Sequence, residues 1–148
     1  MIVVATGAIV ALVDADDRHH RALRTVYETC GDEWVLPWAI LPEVDHLLTR
    51  HVSAQAADAF RADLAAGAFT VEWGCDEDLV RAHVLCAQYA KLELGLVDAA
   101  VLAVAERCAA RAIVTVDPRD FGAVSLPRGV LLLPRDGVGL FTRQQPHT

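Results

Sequence analysis

The chain has 148 residues, 54% of them hydrophobic and 22% charged, with a net charge of −7. That length suits one domain with a full core, and the composition excludes a disordered chain. The acidic balance excludes a protein that grips nucleic acid through bulk charge. Lys91 is the single lysine, so basicity rests on arginine, whose planar fork suits phosphate and carboxylate. Cys30, Cys75, Cys86 and Cys108 are scattered without a C-x-x-C pair. Reduced thiols are therefore expected, not a disulfide framework or a zinc site. The apolar run Met1 to Val13 has no basic start and is too short to span a bilayer, so a cytoplasmic protein is expected.

Ile2-Val3-Val4 reads as a first strand buried on both faces, ended by Ala5-Thr6-Gly7. Ala8 to Val13 reads as a short helix. Asp14, Asp16 and Asp17 form an acidic turn, where Asp16 or Asp17 caps a second helix that Gly31 closes. They lack the glycine and distal glutamate of a calcium loop. Trp34-Val35-Leu36 is a second strand, stopped by Pro37. Leu41, Val44, Leu47 and Leu48 then recur at helical spacing over about 39–51. Pro42 fits only a first helical turn, which places Glu43 there too. Ser53 caps the next helix and Gly67 ends it. Phe69 to Trp73 is a third strand.

The segment 76–92 reads as an amphipathic helix, with Leu79, Val80, His83, Val84, Cys86 and Ala87 inward. Gly95 breaks the chain before Val97 to Ala110, an Ala-, Val- and Leu-rich helix with Asp98 in its first turn. Ala112 to Val116 is a strand covered on both faces, stopped by Asp117-Pro118. Val130 to Leu133 is a last strand at the sheet's edge, and 134–148 reads as a tail beyond a domain of residues 1–133. The expected fold class is α/β, a mostly parallel central sheet with helices on both faces.

In such a sheet, crossover helices run antiparallel to the strands. Strand C-termini and helix N-termini then share one edge, where open α/β sheets bind ligands. Position 5, Glu43, Asp98 and Asp117 all fall at that edge. Each acid taken alone also reads as a helix-start or turn residue. Together they are costly to hold close without a cation, and oxygen-rich acidic sites suit Mg²⁺ or Mn²⁺. A receiver domain needs a lysine at the end of its last strand, whereas Lys91 lies within a helix. ATGA is too poor in glycine for a nucleotide-binding loop.

The chain resembles the PIN-domain ribonucleases, in particular the VapC toxins of type II toxin–antitoxin systems. LGLVDAAVLAVAERCAARAIVTVDPRDF is similar to the third and fourth acidic motifs, and LPEVDHLLTR to the second. IVVATGAIVALVDADDRHHRA is similar to the first, with Thr6 matching and Ala5 standing where the family has its first acid. Gly7 likewise lacks that motif's usual side-chain hydrogen bond. The resemblance implies a PIN-like three-layer fold and a Mg²⁺- or Mn²⁺-dependent endoribonuclease acting on tRNA or rRNA. It implies Asp98 as a direct metal ligand and Glu43 and Asp117 as direct or water-mediated ones, with Thr6 and Thr115 supporting. It also implies a homodimer and a VapB-like antitoxin. Ala5 implies a nearly inactive chain, either an introduced Asp-to-Ala change, favoured because the other motifs stand, or a lineage retained as a non-catalytic binding module.

Arg18, Arg21 and Arg24 recur every third residue, and Arg119 follows Asp117. These are the candidate phosphate contacts, against the plainer reading of a solvated surface. Trp34, Trp38 and Trp73 flank apolar strands, so packing is expected of them in preference to base stacking. His19, His20 and His46 are weak candidates for substrate contact or acid–base work.

Overall fold

The computed structural model describes residues 1–139. β1 (Ile2–Val4) leads into α1 (Thr6–Val13) and α2 (His20–Cys30). β2 (Trp34–Pro37) leads through a 3₁₀ turn at Trp38–Ile40 into α3 (Leu41–His51) and α4 (Ala54–Ala65). β3 (Thr70–Glu72) is followed by α5 (Asp76–Gln88), a 3₁₀ turn at Ala90–Leu92, and α6 (Leu96–Arg107). β4 (Ala112–Val114), α7 (Pro118–Gly122) and β5 (Leu131–Leu133) complete it.

All five strands are parallel, in the order β3-β2-β1-β4-β5. Right-handed crossovers put α1 to α4 on one face and the α5/α6 pair on the other. The packing agrees: α1 meets α2 and α3, α3 meets α4, and α5 lies along α6. Ile2, Val3, Val4, Ile113 and Val114 are fully buried between these layers, which is why both strands read as unbroken apolar runs. The chain leaves β1 toward β2 on one side and returns to β4 on the other. The sheet's switch point therefore lies between β1 and β4, in register Val4 opposite Val114.

Local chemistry explains the boundaries. Ser53 Oγ accepts from Ala56 N at 3.0 Å and starts α4. Ser53→Ala is expected to cost about 1 kcal/mol in urea unfolding. α2 begins later than its acidic turn suggests, because Asp17 Oδ1 turns back to accept from His19 N at 2.7 Å. Gly31 does not adopt a left-handed cap: its φ is −63°, and a Cβ there would sit 2.6 Å from the Tyr27 ring.

The largest correction concerns α5. Its buried positions are Asp78, Ala82 and Leu85, while Leu79, Val80, His83, Val84 and Ala87 are exposed. Arg107 on α6 decides this rotation. It donates to Asp78 Oδ1 and Oδ2 at 2.7 and 2.9 Å and to Glu72 Oε1 at 2.7 Å, while Arg81 forks onto Glu106 at 2.8 and 3.0 Å. The Arg107 guanidinium beside Asp78 holds that carboxyl below its ordinary range. Asp78 therefore contributes stability that is present above pH 4 and lost as pH falls through its depressed folded value. Arg107→Leu should remove about 1–2 kcal/mol at pH 7 and shrink to nothing near pH 2, as read by urea unfolding at both.

Trp34 is core, with Tyr27 edge-on at 5.2 Å, but Trp38 and Trp73 are exposed. Residues 134–137 fold back on β5: Asp136 Oδ2 accepts from Leu132 N at 2.7 Å, and Gly137 N donates to Pro134 O. The rest of the expected tail, 140–148, lies outside the described residues. Among the described residues no helix is long and apolar enough to cross a membrane, and the four cysteines are free.

Candidate active site

The acids arrive at one edge by three routes. Glu43 sits in the first turn of α3, which the Trp38–Ile40 turn joins to the end of β2. Asp98 sits in the first turn of α6, whose N-cap is Gly95. Asp117 follows β4 by three residues and caps α7, its Oδ1 accepting from Arg119 N at 3.3 Å. Asp120, in the first turn of α7, is a fourth acid that the sequence reading missed. The only earlier sign of it was a second carboxylate three residues past Asp117, just before Phe121 anchors the segment in the core.

Asp98 reports their convergence. Burial pushes its carboxyl up to about 6, and the negative charges of Glu43, Asp120 and Asp117 push in the same direction. The four acids therefore share one electrostatic neighbourhood. Yet among the described residues no three acidic, histidine or cysteine side chains are grouped closely enough to cage a metal ion. These two observations agree if the acids repel each other to distances that still couple their charges.

Position 5 lies at the switch point. Ala5 caps α1, donates its N–H to Val114 O at 2.9 Å and is 4% exposed. It brings a methyl group and no oxygen. Thr6 is buried, and its Oγ1 has no hydrogen-bond partner. The edge beside Ala5 thus holds a buried hydroxyl without a partner. Thr115, also buried, accepts from Asp117 N through Oγ1 at 3.1 Å and so fixes the loop that carries Asp117. Gly7 is required by close packing, since a Cβ there would meet Val116 Cγ2 at 2.6 Å.

The donor set is all hard oxygen, and its charges repel in the absence of a cation. By that chemistry the acids present fit a hard divalent cation such as Mg²⁺ or Mn²⁺.

Of the three candidate arginines, Arg21 and Arg24 share α2 and Arg18 does not. Arg18 lies in the turn before α2 and donates to His19 Nε2, Arg24 is tied to Glu28, and Arg21 is exposed on the first turn of α2. Arg119 is exposed and pairs with Asp117 at 3.7 Å. His20 is a packing residue whose Nδ1 lies 2.9 Å from Ala11 O, and His46 is exposed.

A parallel α/β sheet with carboxylates gathered beyond its strand C-termini defines a class of acidic-edge domains. The chain belongs to the PIN-domain family, whose model matches residues 2–125. It is 28% identical over 123 residues to "Ribonuclease VapC26" of Mycobacterium tuberculosis, covering 83% of this chain and 91% of that protein. Among solved structures it is similar to Mycobacterium tuberculosis VapC20, described as a sarcin–ricin loop cleaving toxin. The TM-score is 0.76 at 24% identity, over 83% of this chain and 95% of that one. It is also similar to VapBC2 from Rickettsia felis, bound to a promoter DNA fragment. There the TM-score is 0.66 at 13% identity, over 89% and 97% of the two chains. Likenesses at that identity carry the fold.

Proposed function

We propose that this chain is a VapC-type toxin, a Mg²⁺- or Mn²⁺-dependent endoribonuclease acting on structured RNA, and that Ala5 leaves it nearly inactive. The observation that carries the reading is the convergence of three carboxylates, Glu43, Asp117 and Asp120, on Asp98 at the sheet's switch-point edge. Membership of the PIN family and the likeness to a curated VapC ribonuclease support the reaction class. The likeness to a toxin that cleaves the sarcin–ricin loop supports tRNA or rRNA as substrate class. The likeness to a VapBC assembly supports a VapB-like antitoxin as partner, and a paired toxin belongs to the same reading.

Asp98, Glu43 and Asp117 are the ion-holding residues, with Asp120 beside them. The ion, when bound, supplies an activated water and neutralises charge developing on the phosphodiester. Thr115 holds the Asp117 loop in place, and Thr6 offers a hydroxyl to the same edge. Asp98, pushed up to about 6 by burial and its acidic neighbours, would hold the cation as a carboxylate, the ion's charge offsetting those neighbours. Arg119, exposed and loosely tied, swings to a phosphate at little cost. Arg21, Arg18 and Arg24 are more distant candidates for the RNA backbone. Substrate binding then rests on metal and local arginines, since the net charge repels RNA.

A second reading has one observation in its favour: residue 5 is an alanine and offers the edge no side-chain oxygen, as suits a non-catalytic module that binds an antitoxin peptide or RNA. Cleavage of total tRNA and rRNA by the parent and by Ala5→Asp, with Mn²⁺ or Mg²⁺ and then with chelator, separates the two. Chelator-sensitive cutting by Ala5→Asp supports the nuclease. RNA binding without cutting by both supports the module.

A further inference from the structure

We propose that Tyr89 is a positioning residue for the acidic site. From the end of α5 its hydroxyl fixes the segment after β4, and with it Asp117 and Asp120, at a set distance from Asp98. The proposal rests on the metal-site reading above and goes beyond it by naming a residue outside the four acids that sets their spacing.

Asp117 and Asp120 stand on a slight support. α7 has five residues, too few for a helix to hold its shape alone. Phe121 and Val124 anchor this arm in the core, but both acids are exposed. Acids on the two sides of the edge repel, since Glu43, Asp120 and Asp117 all bear on Asp98. Without a cation, that repulsion pushes the α7 arm away from α6.

One hydrogen bond opposes the push. Ser125 N donates to Tyr89 Oη at 2.9 Å, across 36 positions of sequence. Among the described residues, every other hydrogen bond made by residues 117–128 stays within 115–130. The Tyr89 ring is half-buried against the core, and Gln88 Nε2 donates to the same oxygen at 3.4 Å.

Tyr89 is joined as closely to the helix of Asp98. Its N–H closes α5 on Leu85 O at 2.9 Å, and its carbonyl accepts from Leu92 N at 2.9 Å to start the 3₁₀ turn Ala90–Leu92. Glu93 then takes a left-handed φ of 52° and Leu94 is buried, before Gly95 caps α6. A left-handed glutamate persists only where its surroundings hold it, and such positions gather at functional sites. The hydroxyl thus ties the wall that carries Asp98 to the wall that carries Asp117 and Asp120. As stability the bond contributes little, because Ser125 is exposed and water would satisfy its N–H. What the tyrosine supplies and water does not is a fixed separation of the two walls.

Tyr89→Phe keeps the ring and removes the tie. In the metal-free parent chain it should speed amide hydrogen exchange about three- to tenfold at Ala123 and Val124, whose N–H groups bond within the arm, and not at Ser125 alone. In the Ala5→Asp background it should raise the Mn²⁺ dissociation constant about tenfold, read from the paramagnetic resonance of free Mn²⁺. It should also lower kcat for RNA with KM unchanged. Ser53→Ala, which removes a helix cap in the opposite layer, should move none of these. Faster exchange confined to Ser125 overturns the proposal without recourse to metal. So does an Mn²⁺ constant that Tyr89→Phe and Ser53→Ala shift alike. If Ala5→Asp binds no Mn²⁺, the metal reading fails by itself, and exchange at Ala123 and Val124 decides whether Tyr89 places the arm.

Discussion

Ala5→Asp is expected to raise Mn²⁺-dependent RNA cleavage at least about a hundredfold over the parent chain. The carboxylate adds a direct oxygen ligand and one negative charge at the switch-point edge, where only a methyl group now stands. The same change has a cost in the metal-free state. Position 5 is 4% exposed, and burial, with the negative charges of Glu43, Asp120 and Asp117 behind it, already pushes Asp98 up to about 6. Another buried carboxylate there should lower metal-free stability at pH 7 by about 1–3 kcal/mol. Saturating Mn²⁺ should offset it, since an ion that binds only the folded chain at a hundred times its Kd contributes about 2.7 kcal/mol. A larger Mn²⁺-induced rise in Tm for Ala5→Asp than for the parent is the binding readout, independent of cutting. Equal rises, with no gain in cleavage, place residue 5 outside the site.

Asp98→Asn should do the reverse, stabilising the chain while abolishing whatever cleavage Ala5→Asp restores. The folded carboxyl titrates near 6 and the unfolded one near 3.8. Below pH 3.8 both states hold the proton and Asp98 contributes nothing. As pH rises from 3.8 to about 6 the unfolded chain ionises while the folded one keeps its proton, so the penalty grows across that window and levels off at about 2–3 kcal/mol above it. Asparagine keeps the shape and removes that penalty. The gain should therefore be about 2 kcal/mol in urea unfolding at pH 7.5 and close to zero at pH 3. A gain equal at the two pH values would place the strain elsewhere than in the ionised carboxylate. A variant that folds better and cuts less is the behaviour of a residue held in place for function.

The parallel sheet was legible because its strands are sealed on both faces. Ile2-Val3-Val4 and Ala112-Ile113-Val114 carry no alternation, which only double coverage explains. Glu43 and Asp98 were legible because a proline and a glycine mark their helix starts, and topology sends helix starts and strand ends to one edge. Asp120 was not, because its approach to Asp98 depends on the path of the loop after β4, which no periodicity encodes. Arg18 stands apart from Arg21 and Arg24 because α2 begins only at His20, after the Asp17 side chain has accepted from His19 N.

The sequence by itself determined the fold class, the order of the strands and of the helices up to β4, and the edge at which three acids and Ala5 fall, but not α7. These follow from local rules: buried strands must be apolar, and breaks must sit where the backbone turns. Only the tertiary structure decided which way α5 faces. Its apolar residues occupy more than one side, so periodicity admits several rotations. The Arg107 guanidinium on α6 selects one by drawing Asp78 inward. That long-range pair exposes Leu79, Val80 and Val84 beside Trp38 and Trp73, and so makes an outer surface of what the sequence alone presents as core.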